Sequence, residues 1–250
     1  MIVGAVATIR HRLDHCVVFD LDGTLVDTEP TLEWAINTAF DDVGLPTLHR
    51  GAARQHIGHG LDHFVHSAMR EVASTTVGER LLSAVAGRFH ALLLADPCHG
   101  ASPRLGAVEL LEQLDAHGVA VGLCTNKSIA MAAAVLRGMD LDRHIGVRVG
   151  GDTLAERKPS PEPLRRCLRR LGHTSESSLY VGDSAIDVAT ARAAGTPVVV
   201  VRGGYEQADI DTLGADAVID ELIDLIDLRG TTPATTDLVP RHHLNRRTMS

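Results

Sequence analysis

The chain has 250 residues, of which 44% are hydrophobic and 22% charged, and its formal net charge is −8. This composition excludes collagen-like, low-complexity and wholly disordered classes, and the length suits one large domain or a core that carries a smaller one. The acidic balance argues against nucleic-acid binding, which needs a basic surface. No apolar run approaches the roughly 20 residues that span a bilayer, so we expect no membrane partner. The N-terminal segment lacks the basic region and cleavage site of a secretory signal, which predicts a cytoplasmic protein.

Short apolar runs along the chain predict buried strands that alternate with helices. The runs are Cys16 to Phe19, Val119 to Cys124, Ser178 to Val181, Pro197 to Val201 and the shorter Ala217 to Ile219. Helical patterns lie between them at 105–117, 128–137, 161–171 and 185–194. Gly118 and Gly172 stand where helix-ending glycines belong. We therefore predict an α/β fold, with a Rossmann-like, mostly parallel sheet covered by helices on both faces.

A stretch after the first strand, from about residue 28 to residue 100, breaks this alternation. It contains helical patterns at 31–43, 60–72 and 78–94 and no clear strand, which indicates an all-helical insertion. The segment from Arg229 lacks periodicity and predicts a disordered tail. The predicted division is therefore a core of residues 1–25 and 101–228, a helical insertion of residues 26–100, and a tail of residues 229–250.

Two carboxylates follow the first predicted strand directly, in the sequence Phe19-Asp20-Leu21-Asp22-Gly23-Thr24. Ligands of open parallel sheets bind at the carboxyl ends of the strands, so Asp20 and Asp22 are expected to face one pocket. Such a pair suits a division of labour in which one carboxylate attacks or binds metal and the other moves protons. A bare pair of this spacing is more often an acidic loop, but its position after a buried strand favours a site.

Three further polar groups follow later strands. Thr125 and Asn126 end the second strand and begin a helix, which is typical of an anion site but also of an ordinary helix cap. Lys158 precedes the next helix, where it could be a solvated charge or the cation that a phosphate needs. Asp183 and Asp187 follow the predicted strand Ser178 to Val181 and are about one helical turn apart. With Asp20 they form a set of oxygen ligands suited to Mg²⁺.

These four groups, in this order and each at a junction between strand and helix, resemble the haloacid-dehalogenase-like hydrolase superfamily. The resemblance covers about residues 15 to 228. It implies that residues 26–100 form the cap domain of that family, and that the segments near 26–28 and 98–102 are hinges on which the cap opens and closes.

The resemblance also implies a role for each residue of the first and fourth groups. Asp20 would be the nucleophile that forms an aspartyl-phosphate, and Asp22 the general acid/base. Mg²⁺ would be held by a carboxylate oxygen of Asp20, the backbone carbonyl of Asp22, and Asp183. The aspartate at position 22 favours phosphate esters over haloacids or phosphonates.

The remaining roles concern the phosphoryl group. By the same resemblance, Thr125 and the amide of Asn126 would hold its oxygens, and Lys158 would neutralise its charge. Asp187 would support Lys158 or the outer shell of the metal. The expected partner is a small phosphorylated metabolite, bound by a monomer or a homodimer.

Several stretches look most like phosphoglycolate phosphatases, including those around Thr125, Lys158 and Asp183, which favours 2-phosphoglycolate as the substrate. By contrast, residues 27–30 (Asp-Thr-Glu-Pro) look more like the β-phosphoglucomutase-like subgroup. A sugar phosphomutase or a pyrophosphatase of the same superfamily is therefore an alternative. A catalytically silent regulatory module is the alternative of a different class, and the complete set of motif residues argues against it.

Four histidines lie close together in the sequence of the predicted insertion. His59 lies between two glycines and is a candidate for contact with substrate. His56, His63 and His66 are interpreted as a polar surface rather than a metal site, since the chain has 14 histidines.

Overall fold

The computed structural model describes residue 9 and residues 12–73 and 78–226. The predicted tail of residues 229–250 and most of the first 11 residues lie outside this part of the chain. The strands in chain order are β1 (Cys16–Phe19), β2 (Val26–Asp27), β3 (Ser102–Pro103), β4 (Ala120–Cys124), β5 (Val147–Val149), β6 (Ser178–Gly182), β7 (Val198–Val201) and β8 (Ala217–Ile219). The helices are α1 (Glu29–Asp41), α2 (Leu61–Val72), α3 (Glu79–Ala95), α4 (Ala107–Ala116), α5 (Ile129–Gly138), α6 (Glu162–Leu171) and α7 (Ala185–Ala194).

Six strands form one parallel sheet in the order β5-β4-β1-β6-β7-β8. Alternate residues of each strand point to opposite faces. In β1, Val17 and Phe19 pack with α4 and α5 on one face, whereas Cys16 and Val18 pack with α6 and α7 on the other. Because the strands are buried on both faces of the sheet, their sequences are continuous apolar runs, and such runs are easily identified in the sequence. The predicted α/β fold is confirmed.

The five apolar runs all appear as strands, and every predicted helix of the core and the insertion is present within a few residues of its predicted bounds. Sequence analysis missed the edge strand β5, whose three residues include Arg148. It also missed β2 and β3, which have two residues each. Among the described residues, no helix combines the length and apolar character needed to cross a membrane.

The three helices α1, α2 and α3 lie between β2 and β3 in the chain and bury a hydrophobic cluster of their own. Phe40, Phe64 and Phe89 are fully buried in this cluster, one from each helix, and Phe64 stacks on Phe89 at 5.4 Å between ring centroids. β2 and β3 pair antiparallel, with Val26 opposite Pro103. The two chain crossings between the helices and the sheet are therefore held side by side. The domain division and the hinge role of these crossings stay predictions.

Candidate functional site

The candidate site lies at the carboxyl edge of the sheet, where three neighbouring strands end. β1 lies between β4 and β6, so the residues that follow these strands meet at one place. They are Asp20 after β1, Thr125 after β4 and Asp183 after β6. All three are buried and line one cavity, as the sequence predicts.

Lys158 enters this site from the loop before α6 and is only 4% exposed. Its Nζ lies 3.0 Å from Asp20 Oδ1 and donates to Asp187 Oδ1 at 2.7 Å. It also donates to the hydroxyl of Tyr180 at 3.0 Å, and that hydroxyl is 2.9 Å from Asp187 Oδ1 and 3.0 Å from the Cys124 carbonyl. The ammonium is thus fixed from three sides and directed at Asp20. Tyr180, in the middle of β6, is a site residue that sequence analysis missed.

Asp187 is fully buried in the first turn of α7, and both of its carboxylate oxygens have partners. Oδ1 accepts from Lys158 and Tyr180, while Oδ2 accepts from the Ser184 hydroxyl at 2.7 Å and from the backbone N–H groups of Asp183 and Ser184. Burial raises the pKa of Asp187, but Lys158 and these donors outweigh burial and hold the pKa below its usual value. Burial lowers the pKa of Lys158, and the carboxylates of Asp187 and Asp20 reverse the effect and raise it above the ordinary value. Of the predicted roles for Asp187, the contacts fit support of Lys158.

Asp183 is held from both sides by loops. Oδ1 accepts from the Thr24 hydroxyl at 2.9 Å, and Oδ2 accepts from the backbone N–H of Tyr205 at 2.7 Å. A Cβ at Gly23 or Gly204 would lie 2.5 or 2.3 Å from Asp183 Oδ2, so only glycine permits these close approaches. The carboxylate is therefore fixed in position by its neighbours.

Two carboxyl groups at this edge of the sheet have strongly shifted pKa values. Burial raises the pKa of Asp183 to about 8, with a further contribution from the carboxylates of Asp187 and Asp20. Burial also raises the pKa of Asp20 to about 6, although Lys158 opposes the shift. Both shifts arise chiefly from burial, to which the neighbouring carboxylates add, so the ionised forms would be stabilised by a cation beside them.

Asp22 faces the same cavity and is the least buried of the four carboxylates. Lys127 Nζ donates to its Oδ1 at 2.7 Å and its Oδ2 at 3.0 Å, and the Thr28 hydroxyl donates to Oδ1 at 2.6 Å. Lys127 is only 5% exposed and follows Asn126 in the loop after β4. Sequence analysis gave this lysine no role, because its partner lies 105 residues away in the chain.

Asn126 connects three parts of the molecule through its side chain. Its Nδ2 donates to the Gly58 carbonyl at 2.9 Å and to the Lys158 carbonyl at 3.1 Å, while its Oδ1 accepts from the Lys158 backbone N–H at 3.0 Å. The side-chain amide thus holds the Lys158 loop and the helical insertion. Its backbone N–H and the Thr125 hydroxyl are the groups of this loop that remain as candidates for a phosphoryl oxygen.

Tyr205 joins the carboxylate of Asp183 to the first crossing into the helical insertion. While its backbone N–H binds Asp183, its ring hydroxyl accepts from the backbone N–H groups of Thr28 at 2.7 Å and Glu29 at 2.9 Å and donates to Asp27 Oδ1 at 2.8 Å. Sequence analysis gave Tyr205 no role, because its contacts cannot be read from local sequence.

The histidines of the insertion lie apart from the cavity. His59 is exposed and its ring is 4.8 Å from that of His63, whereas its neighbours Gly58 and Gly60 line the cavity. Its contact with substrate stays a prediction. The interpretation of His56 as a surface residue is wrong, since it is 6% exposed and lies 2.8 Å from both Ser67 Oγ and Glu71 Oε2. His56 stabilises the packing of the insertion.

The cavity itself is small, at about 40 Å³, which holds a few water molecules at most. Its core side is polar and charged. Its other wall comes from the helical insertion, and every residue that this wall contributes is apolar or glycine: Leu32, Ile57, Gly58, Gly60, Leu61 and Phe64.

The residues of the site fit a divalent cation. Carboxylate oxygens of Asp20, Asp183 and Asp187 lie within 4.8 Å of one another, but those of Asp187 are already engaged by Lys158, Tyr180 and Ser184. Four carboxylates face two ammonium groups here, and buried charges need partners. A divalent ion beside Asp20 and Asp183 would balance the excess, and an all-oxygen set suits Mg²⁺.

Comparison with known proteins agrees with this geometry. The family model described as haloacid dehalogenase-like hydrolase matches residues 17–201. A phosphoglycolate phosphatase from Rhodospirillum rubrum is 42% identical over 217 residues, which cover 86% of this chain and 90% of the relative. A second phosphoglycolate phosphatase, from Chromobacterium violaceum, is 38% identical over 85% of this chain and 95% of its own length.

Solved structures give the same result. The crystal structure of a predicted phosphoglycolate phosphatase from Haemophilus somnus aligns with a TM-score of 0.81 at 28% identity, covering 87% of this chain and 99% of that one. CbbY from Rhodobacter sphaeroides, solved in complex with phosphate, aligns with a TM-score of 0.68 at 26% identity, covering 83% and 94%. The family model spans the strands that carry Asp20, Thr125 and Asp183. The chain therefore belongs to the haloacid dehalogenase-like hydrolase family.

Proposed function

We propose that this protein is a Mg²⁺-dependent phosphatase that hydrolyses a small phosphomonoester through an aspartyl-phosphate on Asp20. The observation that carries the proposal is the arrangement of Asp20 and Asp22 on one cavity, with Lys158 directed at Asp20 from 3.0 Å. Most phosphoryl-transfer catalysis is positioning and electrostatic stabilisation. Both are supplied here by side chains that their neighbours hold in place.

The first half of the reaction transfers the phosphoryl group to the protein. A carboxylate oxygen of Asp20 forms a bond to phosphorus while the bond from phosphorus to the ester oxygen breaks. Asp22, as the carboxylic acid, gives its proton to the departing oxygen, and the alcohol leaves. The contacts of Asp20 support this role, because Asp20 faces the cavity and is not fixed by the backbone donors that hold Asp187.

The second half returns the phosphoryl group to water. Asp22, now a carboxylate, takes a proton from a water molecule, whose oxygen attacks the phosphorus of the aspartyl-phosphate. The bond to Asp20 breaks, and inorganic phosphate and the Asp20 carboxylate result. The hydrogen bonds that Lys127 and Thr28 donate to Asp22 suit this carboxylate form.

Phosphoryl oxygens would be bound by Lys158, the Thr125 hydroxyl and the Asn126 backbone N–H. Asp20, Asp183 and the backbone carbonyl of Asp22 would hold Mg²⁺. When bound, the ion offsets repulsion between an anionic phosphate and an aspartate nucleophile and stabilises charge in the transition state. Asp187 keeps Lys158 in place, and Thr24 and Tyr205 do the same for Asp183.

The cavity wall supports a short substrate such as 2-phosphoglycolate. Sugar hydroxyls buried against Leu32, Ile57 and Phe64 would lose their hydrogen bonds to water without replacement, which is costly. This is an argument against the sugar phosphomutase alternative. The relatives named phosphoglycolate phosphatase support the same choice of substrate.

Residues 26–100 would act as a cap over this cavity. A space of about 40 Å³ leaves little room for substrate entry without displacement of the insertion, and the paired crossings β2 and β3 are natural hinges. Closure would then exclude water other than the attacking molecule. The contact of Asn126 with the Gly58 carbonyl joins cap to core in the closed form.

Phosphate release from a panel of esters with Mg²⁺ tests the proposal. The panel should contain 2-phosphoglycolate, sugar phosphates, nucleotides and pyrophosphate. We expect turnover of short esters that stops with EDTA and in Asp20→Asn. Asp220→Asn, which changes an exposed carboxylate that pairs with Arg202, is the matched control. Normal turnover by Asp20→Asn would contradict the nucleophile, and inactivity of the wild type across the panel would favour a silent regulatory module.

A further inference from the structure

The use of lysine in this chain is unusually restricted. Of its 24 basic Lys and Arg residues, Lys127 and Lys158 are the lysines, and every other one is Arg. Both lysines are buried and both reach the same site. A lysine ammonium is a compact point charge, while arginine presents a broad planar fork. The site therefore has two compact cations, and the proposed phosphatase mechanism assigns contact with the substrate only to Lys158.

The ammonium of Lys127 differs from that of Lys158 in its surroundings. Lys158 has Asp20, Asp187 and Tyr180 around it. Within the described part of the chain, the contacts of Lys127 Nζ are the two oxygens of Asp22. An ammonium has three N–H donors, so Lys127 keeps one N–H beyond these two bonds, and it lines the cavity.

The position of Lys127 relates it to the leaving group rather than to the phosphoryl group. In the proposed mechanism Asp22 hydrogen-bonds to the ester oxygen that departs. An ammonium 2.7–3.0 Å from the same carboxylate lies beside that oxygen. The atoms one or two bonds beyond the ester oxygen therefore pass next to Lys127.

The other wall of the cavity offers no charged side chain to the leaving alcohol, so recognition of a charged group on that alcohol depends on Lys127. The opposite wall, from the helical insertion, contributes aliphatic, aromatic and glycine residues and no charged or hydroxyl side chain. An anionic substituent on the leaving alcohol would find the Lys127 ammonium here and no competing donor side chain from the residues of this wall. Its burial would be costly without that cation.

From this placement we propose that Lys127 is a specificity-determining residue that binds a carboxylate attached directly to the ester carbon of the substrate. The inference rests on the proposed phosphatase function and assigns the substrate class of that site as short 2-phosphooxy acids. When such a substrate binds, the ammonium shares its hydrogen bonds between Asp22 and the substrate carboxylate. Asp22 is then free to approach the leaving oxygen.

Three esters provide the test: 2-phosphoglycolate, ethyl phosphate and p-nitrophenyl phosphate. The first carries the carboxylate, the second replaces it with a methyl group, and the third has a leaving group that needs little help from an acid. Lys127→Met should lower the ratio of kcat/KM for 2-phosphoglycolate over ethyl phosphate by about 10- to 100-fold, the worth of a hydrogen bond to a charged group. This ratio does not depend on the fraction of folded enzyme. Arg88→Met, which removes an exposed cation that pairs with Asp42 and does not line the cavity, should leave the ratio within about twofold, because exposed charges are screened.

Two results would overturn the inference. If Lys127→Met lowers kcat/KM equally for 2-phosphoglycolate and ethyl phosphate and leaves kcat/KM for p-nitrophenyl phosphate unchanged, Lys127 acts only by positioning Asp22. If kcat/KM falls equally for all three esters, the role of Lys127 is in the fold. Failure of the proposed function is seen separately, as absence of turnover by the wild type.

The wild type alone gives a second measurement that requires no variant. Phosphoethanolamine places an ammonium where 2-phosphoglycolate has its carboxylate. We expect kcat/KM to fall from 2-phosphoglycolate to ethyl phosphate and again to phosphoethanolamine. Hydrolysis of the ammonium ester as fast as that of the carboxylate ester would contradict a cationic subsite.

Discussion

Replacement of Gly204 by alanine tests whether the Asp183 carboxylate must sit where the loop after β7 places it. The new Cβ would lie 2.3 Å from both Cβ and Oδ2 of Asp183, whereas ordinary van der Waals contact begins at 3.4 Å. One of the two groups must therefore move by about 1 Å. Gly204 does not have the positive φ that disfavours alanine, so the effect comes from this contact and not from backbone strain.

The expected consequence is a weaker metal site. The displacement also stretches the bond from the Tyr205 N–H to Asp183 Oδ2, and loss of such supporting contacts typically costs 10–100-fold in metal affinity. The Mg²⁺ concentration for half-maximal phosphate release should therefore rise by about 10–100-fold, with a smaller change in kcat at saturating Mg²⁺.

The control for this variant is Gly87→Ala in the middle of α3, where a Cβ would meet no atom of the described residues within 4 Å. A glycine-to-alanine change without strain stabilises a protein by about 0.4–1 kcal/mol, so this variant should keep its Mg²⁺ dependence and lose no stability. An unchanged half-saturation concentration in Gly204→Ala would refute the idea that the loop fixes the metal ligand. Titration calorimetry with Mg²⁺ would show whether binding itself has changed.

Three further predictions follow from buried polar groups. Tyr180→Phe removes the hydroxyl that contacts Lys158. This variant should lower the free energy of unfolding by about 1–3 kcal/mol and should lower kcat more than it raises KM. Unchanged stability in urea denaturation would contradict the contact. Burial raises the pKa of Asp183 to about 8 and that of Asp20 to about 6, and a carboxyl with a raised pKa destabilises the fold as pH rises above its unfolded value of 3.8. The metal-free protein should therefore lose stability as the pH rises from about 4 to about 8. The increase in Tm on adding Mg²⁺ should be larger at about pH 8 than at about pH 5. Thermal unfolding in EDTA and in Mg²⁺ at each pH would measure both. His56→Ala should cost about 1–3 kcal/mol of stability without a change in kcat/KM, whereas a fall in kcat/KM with stability intact would give the histidine a part in the reaction.

The sequence predicts the fold well because the central strands are covered on both faces. Val17 and Val18 pack on opposite sides of β1, and this double burial produces the uninterrupted apolar run that identifies the strand. β5 escapes prediction because it is an edge strand of three residues with a half-buried arginine at its centre. β2 and β3 are too short to show any period.

The site is predicted in part for a similar reason. Asp20 and Asp183 can be placed together from sequence, because both follow buried strands of one parallel sheet. Lys127, Tyr180 and Tyr205 cannot, because their roles depend on contacts with partners distant in the chain or on packing inside the sheet. One signal was available for Lys127: it is one of two lysines in a chain that otherwise uses arginine.

Because the lysines occupy only two positions, both buried, their chemical reactivity reports on opening of the folded protein. An amine-reactive reagent finds Lys127 and Lys158 at 5% and 4% exposure in the folded chain. Acylation of Lys127 would follow displacement of the helical insertion, while Lys158, enclosed by Asp20, Asp187 and Tyr180, would react only when the core itself opens. The rates of the two reactions, followed by mass spectrometry of native protein, separate movement of the insertion from unfolding of the core.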